Sequence, residues 1–96
     1  MKVTVHILSF SVGDQAREFE WDAPGPEVKD ALEQAFREFE EGAAHVERKC
    51  RSMSVGDVVR ADGKYYACAA VGWTEIDEGE FLDLASMSFA QRLAIR

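Results

Sequence analysis

Two histidines, two cysteines and a few serines are the residues of this 96-residue chain whose types could carry chemistry. His45 and Cys50 stand five apart in a polar stretch, the kind of spacing that serves a metal pair or a Cys–His nucleophile. Two ligands do not hold a zinc ion, and no third group is indicated. Cys50 and Cys68 form no C-x-x-C and have no second pair, which excludes a zinc ribbon and a thioredoxin motif. His6 lies in an alternating apolar run with no partner carboxylate expected nearby, so it reads as a core or edge histidine rather than a general base. Cys68 reads as a small buried apolar residue. Ser52, Ser54, Ser86 and Ser88 lack the G-x-S-x-G setting of a nucleophile elbow, and the seven glycines are scattered at turns without a phosphate loop. The chain is therefore expected to be no enzyme, with no catalytic residues, no metal and no cofactor.

Composition points the same way. Hydrophobic residues make up 47% and charged residues 30%, a globular balance for a single small α+β domain over residues 1–96. No apolar run approaches the roughly 18 residues that span a bilayer, and His6 breaks the only run resembling a secretory leader. With two cysteines, expected reduced, the expected compartment is the cytosol. The net charge of −7 repels nucleic acid and anionic membranes.

The elements that must position any site are readable from periodicity. Val3, Val5 and Ile7 alternate with Leu8, Phe10 and Val12 on the other side, the mark of a central strand covered on both faces. Gly13-Asp14 is a turn signal. Arg17–Trp21 alternates with Phe19 and Trp21 on one face, and reads as a second, half-exposed strand or as a charged loop anchored by two aromatics. Pro26 suits a first helical turn, and Val28, Ala31, Leu32, Ala35, Phe36 and Phe39 form a continuous apolar stripe, predicting an amphipathic helix over about 26–41 that stops at Gly42. Residues 43–54 read as a loop or short helix. Asp62-Gly63 between β-forming runs predicts a hairpin with Arg60 opposite Tyr65 and Val58 opposite Ala67. Gly72–Ile76 continues or re-forms a strand. The tail from Glu80 reads as helical, with Leu82, Ala85, Phe89 and Leu93 on one face, and Ser86 or Ser88 placed to cap a separate last helix. The expected architecture is a small, mostly antiparallel sheet of three or four strands with one helix packed on it and a C-terminal helix.

Charge is unevenly distributed. Residues 14–41 hold ten acids against three bases, whereas residues 42–74 hold three acids against five bases. Arg48, Lys49, Arg51, Arg60 and Lys64, beside Tyr65, Tyr66 and Trp73, could suit a single-stranded nucleic acid. The plainer reading is ordinary surface charge with core aromatics. The acidic helix face, including Glu33, Glu40 and Glu41, is a solvated face or a dock for a basic partner. Phe81, Leu84, Met87 and Phe89 are more apolar side chains than one helix face hides, which raises homodimerisation through the tail.

The segment RSMSVGDVVRADGKYYACAAVGWTEI, residues 51–76, resembles the YodL-like family of small phage and mobile-element proteins. The likeness lies in the R-S-M-S-V-G-D-V-V entry, the paired tyrosines and the Gly72-Trp73 step, and it covers about a quarter of the chain. The small apolar run Ala67–Val71 stands where the family pattern is more polar. The resemblance implies an accessory protein that acts on a host component, and it transfers no catalytic residue. More loosely, strand, turn, strand and amphipathic helix resemble the opening of a β-grasp domain, although the chain ends in Leu93-Ala94-Ile95-Arg96 rather than Gly-Gly. The expected function is a non-enzymatic module that binds a host protein in the cytosol through Trp73, Tyr65, Arg60, Glu33, Glu40 and Glu41. The alternative is a nucleic-acid-associated regulator using the basic hairpin.

Overall fold

A computed structural model describes residues 1–9, 16–42, 44–47 and 50–94. The elements run β1 (Lys2–Ile7), β2 (Arg17–Asp22), α1 (Val28–Phe36), α2 (Ala44–Glu47), β3 (Val58–Ala61), β4 (Lys64–Cys68), β5 (Trp73–Ile76), α3 (Glu78–Ala85) and α4 (Phe89–Ala94). The five strands form one antiparallel sheet in the order β2-β1-β3-β4-β5. The α+β architecture is as expected, and the sheet is fuller than three or four strands. Residues 17–22 pair with β1 along six positions, and 73–76 re-form a strand on β4.

Strand alternation sends Val3, Val5, Ile7, Val59 and Ala61 to one face, where Phe19 and Trp21 of β2 join them. Helix α1 covers that face with Ala31, Leu32 and Ala35, and all of these except the two aromatics are buried. The helix begins at Val28, so Pro26 precedes it instead of occupying its first turn, and Glu27 caps it without a side-chain bond. Its last turn, Arg37–Glu41, widens into a π-helix closed by a bond from Gly42 N to Arg37 O at 2.8 Å. Phe39 in that turn is fully buried, with its ring edge-on to Trp21. Gly42 ends the helix by close approach, since a Cβ there would lie 2.9 Å from Glu38 O.

The Asp62-Gly63 hairpin forms with the expected register and with positive φ at both residues (53° and 76°). The tail forms two helices, the last one separate and capped at Ser88, one of the two serines expected to cap it. Asp77 and Glu80 build a capping box that starts α3, while Ser88 and Gln91 exchange reciprocal bonds that start α4. Leu82 and Leu93 are exposed, so the stripe expected through Leu82, Ala85, Phe89 and Leu93 is not a buried one. Instead Phe81 turns toward the second face of the sheet and stacks on Tyr65 at 4.6 Å. No helix among the described residues is long and apolar enough to cross a membrane.

Candidate functional site

The run Ala67-Cys68-Ala69-Ala70-Val71 puts small side chains at the end of β4 and in the turn that follows, where Ala69 N donates to Gly72 O. Gly72 takes φ +75°, which a residue with a Cβ adopts only with strain. Small side chains on a sheet leave a hollow unless a neighbour fills it. Ile76, Leu84 and Met87 wall this one without closing it. The result is a groove of about 570 Å³ on the second face of the sheet, with Thr74 on its strand side and Glu80 and Asp83 of α3 on its helical side. Val71 at the turn is 93% exposed, the most exposed large apolar side chain among the described residues.

Two buried charges hold the walls in place. Asp57, fully buried, accepts from the backbone N–H of Leu8 and Ser54 and from both terminal nitrogens of Arg51, each of those two at 2.7 Å. Arg51 also donates to Leu8 O and Ser52 O, so one ion pair ties the 51–57 loop to the end of β1. Arg92, buried in α4, donates to Leu84 O, Met87 O and Ser9 O, which fastens α4 to the end of α3 and to the chain leaving β1. Gly56 makes this approach possible: it has φ +91°, and a Cβ there would fall 2.7 Å from the Cβ of Arg92. Burial pulls the Arg92 guanidinium below its ordinary pKa, with Asp57 opposing that shift and Arg51 adding to it.

The structure separates the residues expected to act together. Trp73 pairs with Cys68 and packs on the α1 core, whereas Tyr65 pairs with Ile76 and faces the other way, beneath the Arg60 guanidinium and against Phe81. Glu33 and Glu41 are exposed and Glu40 half-buried on α1 and its π turn. The basic set is also divided. Arg51 is committed to Asp57, a correction to its reading as a phosphate-binding cation, while Arg60 and Lys64 project from opposite faces of the hairpin. Arg48, Lys49, Phe10, Val12, the Gly13-Asp14 turn and the side chain of His45 lie outside the described residues.

His6 does have a carboxylate neighbour, contrary to expectation: Glu18, its partner across the β1–β2 ladder, sits 3.5 Å from Nδ1. Burial nonetheless dominates and lowers the imidazole pKa, with Glu18 opposing and Arg60 reinforcing the shift. Phe81 lies 4.8 Å from the imidazole, which makes this a packed histidine. The Cys68 thiol is pushed up to about 11, first by burial and then by Asp57 and Glu33, and so stays protonated at neutral pH. Among the described residues no group of three or more His, Cys, Asp or Glu side chains is placed to hold a metal ion. The arrangement has the chemistry of an apolar binding groove with an acidic lip. Compared with known proteins, the chain matches no family model, no curated protein and no solved structure.

Proposed function

We propose that this chain is a non-enzymatic, protein-binding accessory module whose docking site is the groove between β4, β5 and α3. The observation that carries this reading is the apolar lining, exposed at Ala70 and Val71 and half-buried at Ile76, Leu84 and Met87, beside the buried Asp57 and Arg92. Pre-formed apolar concavities with a few charged groups at the rim are what binding sites present to an incoming side chain. The likeness of residues 51–76 to YodL-like proteins supports a setting in a phage or mobile element, with a host cytosolic protein as the target.

The test is affinity capture of the tagged chain from host lysate, with and without nuclease, alongside Val71→Asp. The expected result is a near-stoichiometric protein that survives nuclease and is lost with Val71→Asp. Retention of nucleic acid alone, or of proteins released by nuclease, overturns the reading in favour of the basic hairpin.

A further inference from the structure

The groove opens beside a strand whose outer edge carries no backbone hydrogen bond among the described residues. Ala69 and Gly72 close the β4–β5 turn as a hydrogen-bonded pair, and an antiparallel ladder alternates from there. Thr74 and Ile76 therefore direct their N–H and C=O groups toward β4, while those of Trp73 and Glu75 point outward. Cys68 agrees with this phase, since its own N–H and C=O are taken by Asp57 and Gly56 on the β3 side. The side chains alternate in the complementary way: Thr74 and Ile76 face the groove, and Glu75 faces the opposite side.

The other sheet edge is unlike this one. In β2, Arg17, Glu18, Glu20 and Asp22 are all exposed, and such a dense row of charge discourages strand addition. In β5 only Glu75 is charged, and its neighbours are Trp73, Thr74 and Ile76.

Building on the docking function proposed above, we infer that the occupant is an extended segment of a partner protein that adds to the sheet as a sixth strand beside β5. Its backbone bonds Trp73 and Glu75, one side chain on the groove side is apolar and enters the groove, and its flanking residues are basic. Charge selects this chemistry. Glu75, Asp77, Glu78, Glu80 and Asp83, all exposed, cluster along the strand end and α3 and outnumber the two bases beside them, Arg60 and Lys64 of the hairpin, which share a hollow with Glu75, Asp77 and Glu78. A second copy of the chain is disfavoured by the same charges, because pairing β5 with itself brings Glu75, Asp77 and Glu78 of two molecules together.

The experiment pans a random linear peptide library against the intact protein, then measures the enriched peptides by fluorescence anisotropy. The expected class alternates apolar with Lys or Arg, and replacing its bases by Glu weakens binding by about tenfold or more. N-methylation at alternate peptide positions should abolish binding in one register and spare it in the other, a signature that only edge pairing produces. Glu75→Lys, at an exposed position, should weaken the basic peptides and favour their acidic counterparts. Enrichment of peptides without this alternation, indifference to the N-methyl register, an unchanged preference with Glu75→Lys, or no enrichment at all overturns the inference. So does a stable homodimer in place of peptide binding. Such outcomes leave the broader docking function to be judged by lysate capture, where a nuclease-resistant partner lost with Val71→Asp would still uphold it.

Discussion

The two faces of the sheet are built from different materials. Toward α1, Val3, Val5, Ile7, Val59, Ala31, Leu32, Ala35 and Phe39 make a core without a buried charge among the described residues. On the second face and at the sheet end beside it, His6, Ser9, Asp57 and Arg92 are buried, and long-range bonds do the holding. Apolar packing is non-directional and fills whatever space it meets. Directional polar bonds can fix two walls at a set separation and leave room between them. That difference explains why the groove lies on the second face and the α1 face is closed.

The comparison breaks first at its two strongest points. Asp57→Ala strands the Arg51 guanidinium and two backbone N–H groups, and should cost about 3–5 kcal/mol in denaturant unfolding. Phe39→Ala should cost a similar amount, roughly 3–5 kcal/mol, through the cavity it opens under Trp21 and Phe19. Hydrogen exchange distinguishes them. Asp57→Ala should expose the amides of Leu8 and Ser54 before those of α1, and Phe39→Ala should do the reverse. Equal loss of protection on both faces in both variants would mean that the faces do not differ in how they are held.

Gly56→Ala comes next. It places a Cβ against Arg92 at a backbone angle of +91°, so both strain and displacement of α4 contribute, at about 1–3 kcal/mol. The loss should appear as faster exchange in α4 with little change in β1–β3.

A smaller effect depends on pH. Burial holds the folded pKa of His6 below its unfolded value of 6.5, so the unfolded chain binds more protons below that pH. The contribution of the neutral imidazole is fully present above pH 6.5 and is lost as pH falls toward the folded value. His6→Phe, which keeps a ring against Phe81 and Tyr65, should remove this slope. The difference in unfolding free energy between the two proteins should be flat above pH 6.5 and change only below it.

What was legible in the sequence follows the same division. The α1 face was readable because its signals are local: the stripe from Val28 to Phe39 and the alternation of Val3, Val5 and Ile7 each repeat within a few residues. The Asp62-Gly63 turn was readable for the same reason. The groove left no such trace. Its walls come from β4, β5, α3 and α4, and its braces join residues 49 apart (Leu8 to Asp57) and 83 apart (Ser9 to Arg92), which no period connects. Arg51 was misread as a surface cation because its partner Asp57 lies on the far side of a turn. Tyr65 and Trp73 were grouped by type, although strand parity divides them.

The mildest variant sharpens the contrast between faces most. Val71 is 93% exposed in a turn held by the Ala69–Gly72 bond, so Val71→Asp should shift unfolding free energy by no more than about 0.5 kcal/mol. Thermal melts of the two proteins should superimpose. Trp73→Ala is a poorer probe, because that ring packs on the α1 core and its truncation mixes stability with binding. If Val71→Asp instead destabilised the fold by several kcal/mol, Val71 would be closing the groove against the chain itself, and the second face would be a core like the first. A silent melt combined with lost capture would place Val71 on the docking surface, where its contribution is made only when the partner strand arrives.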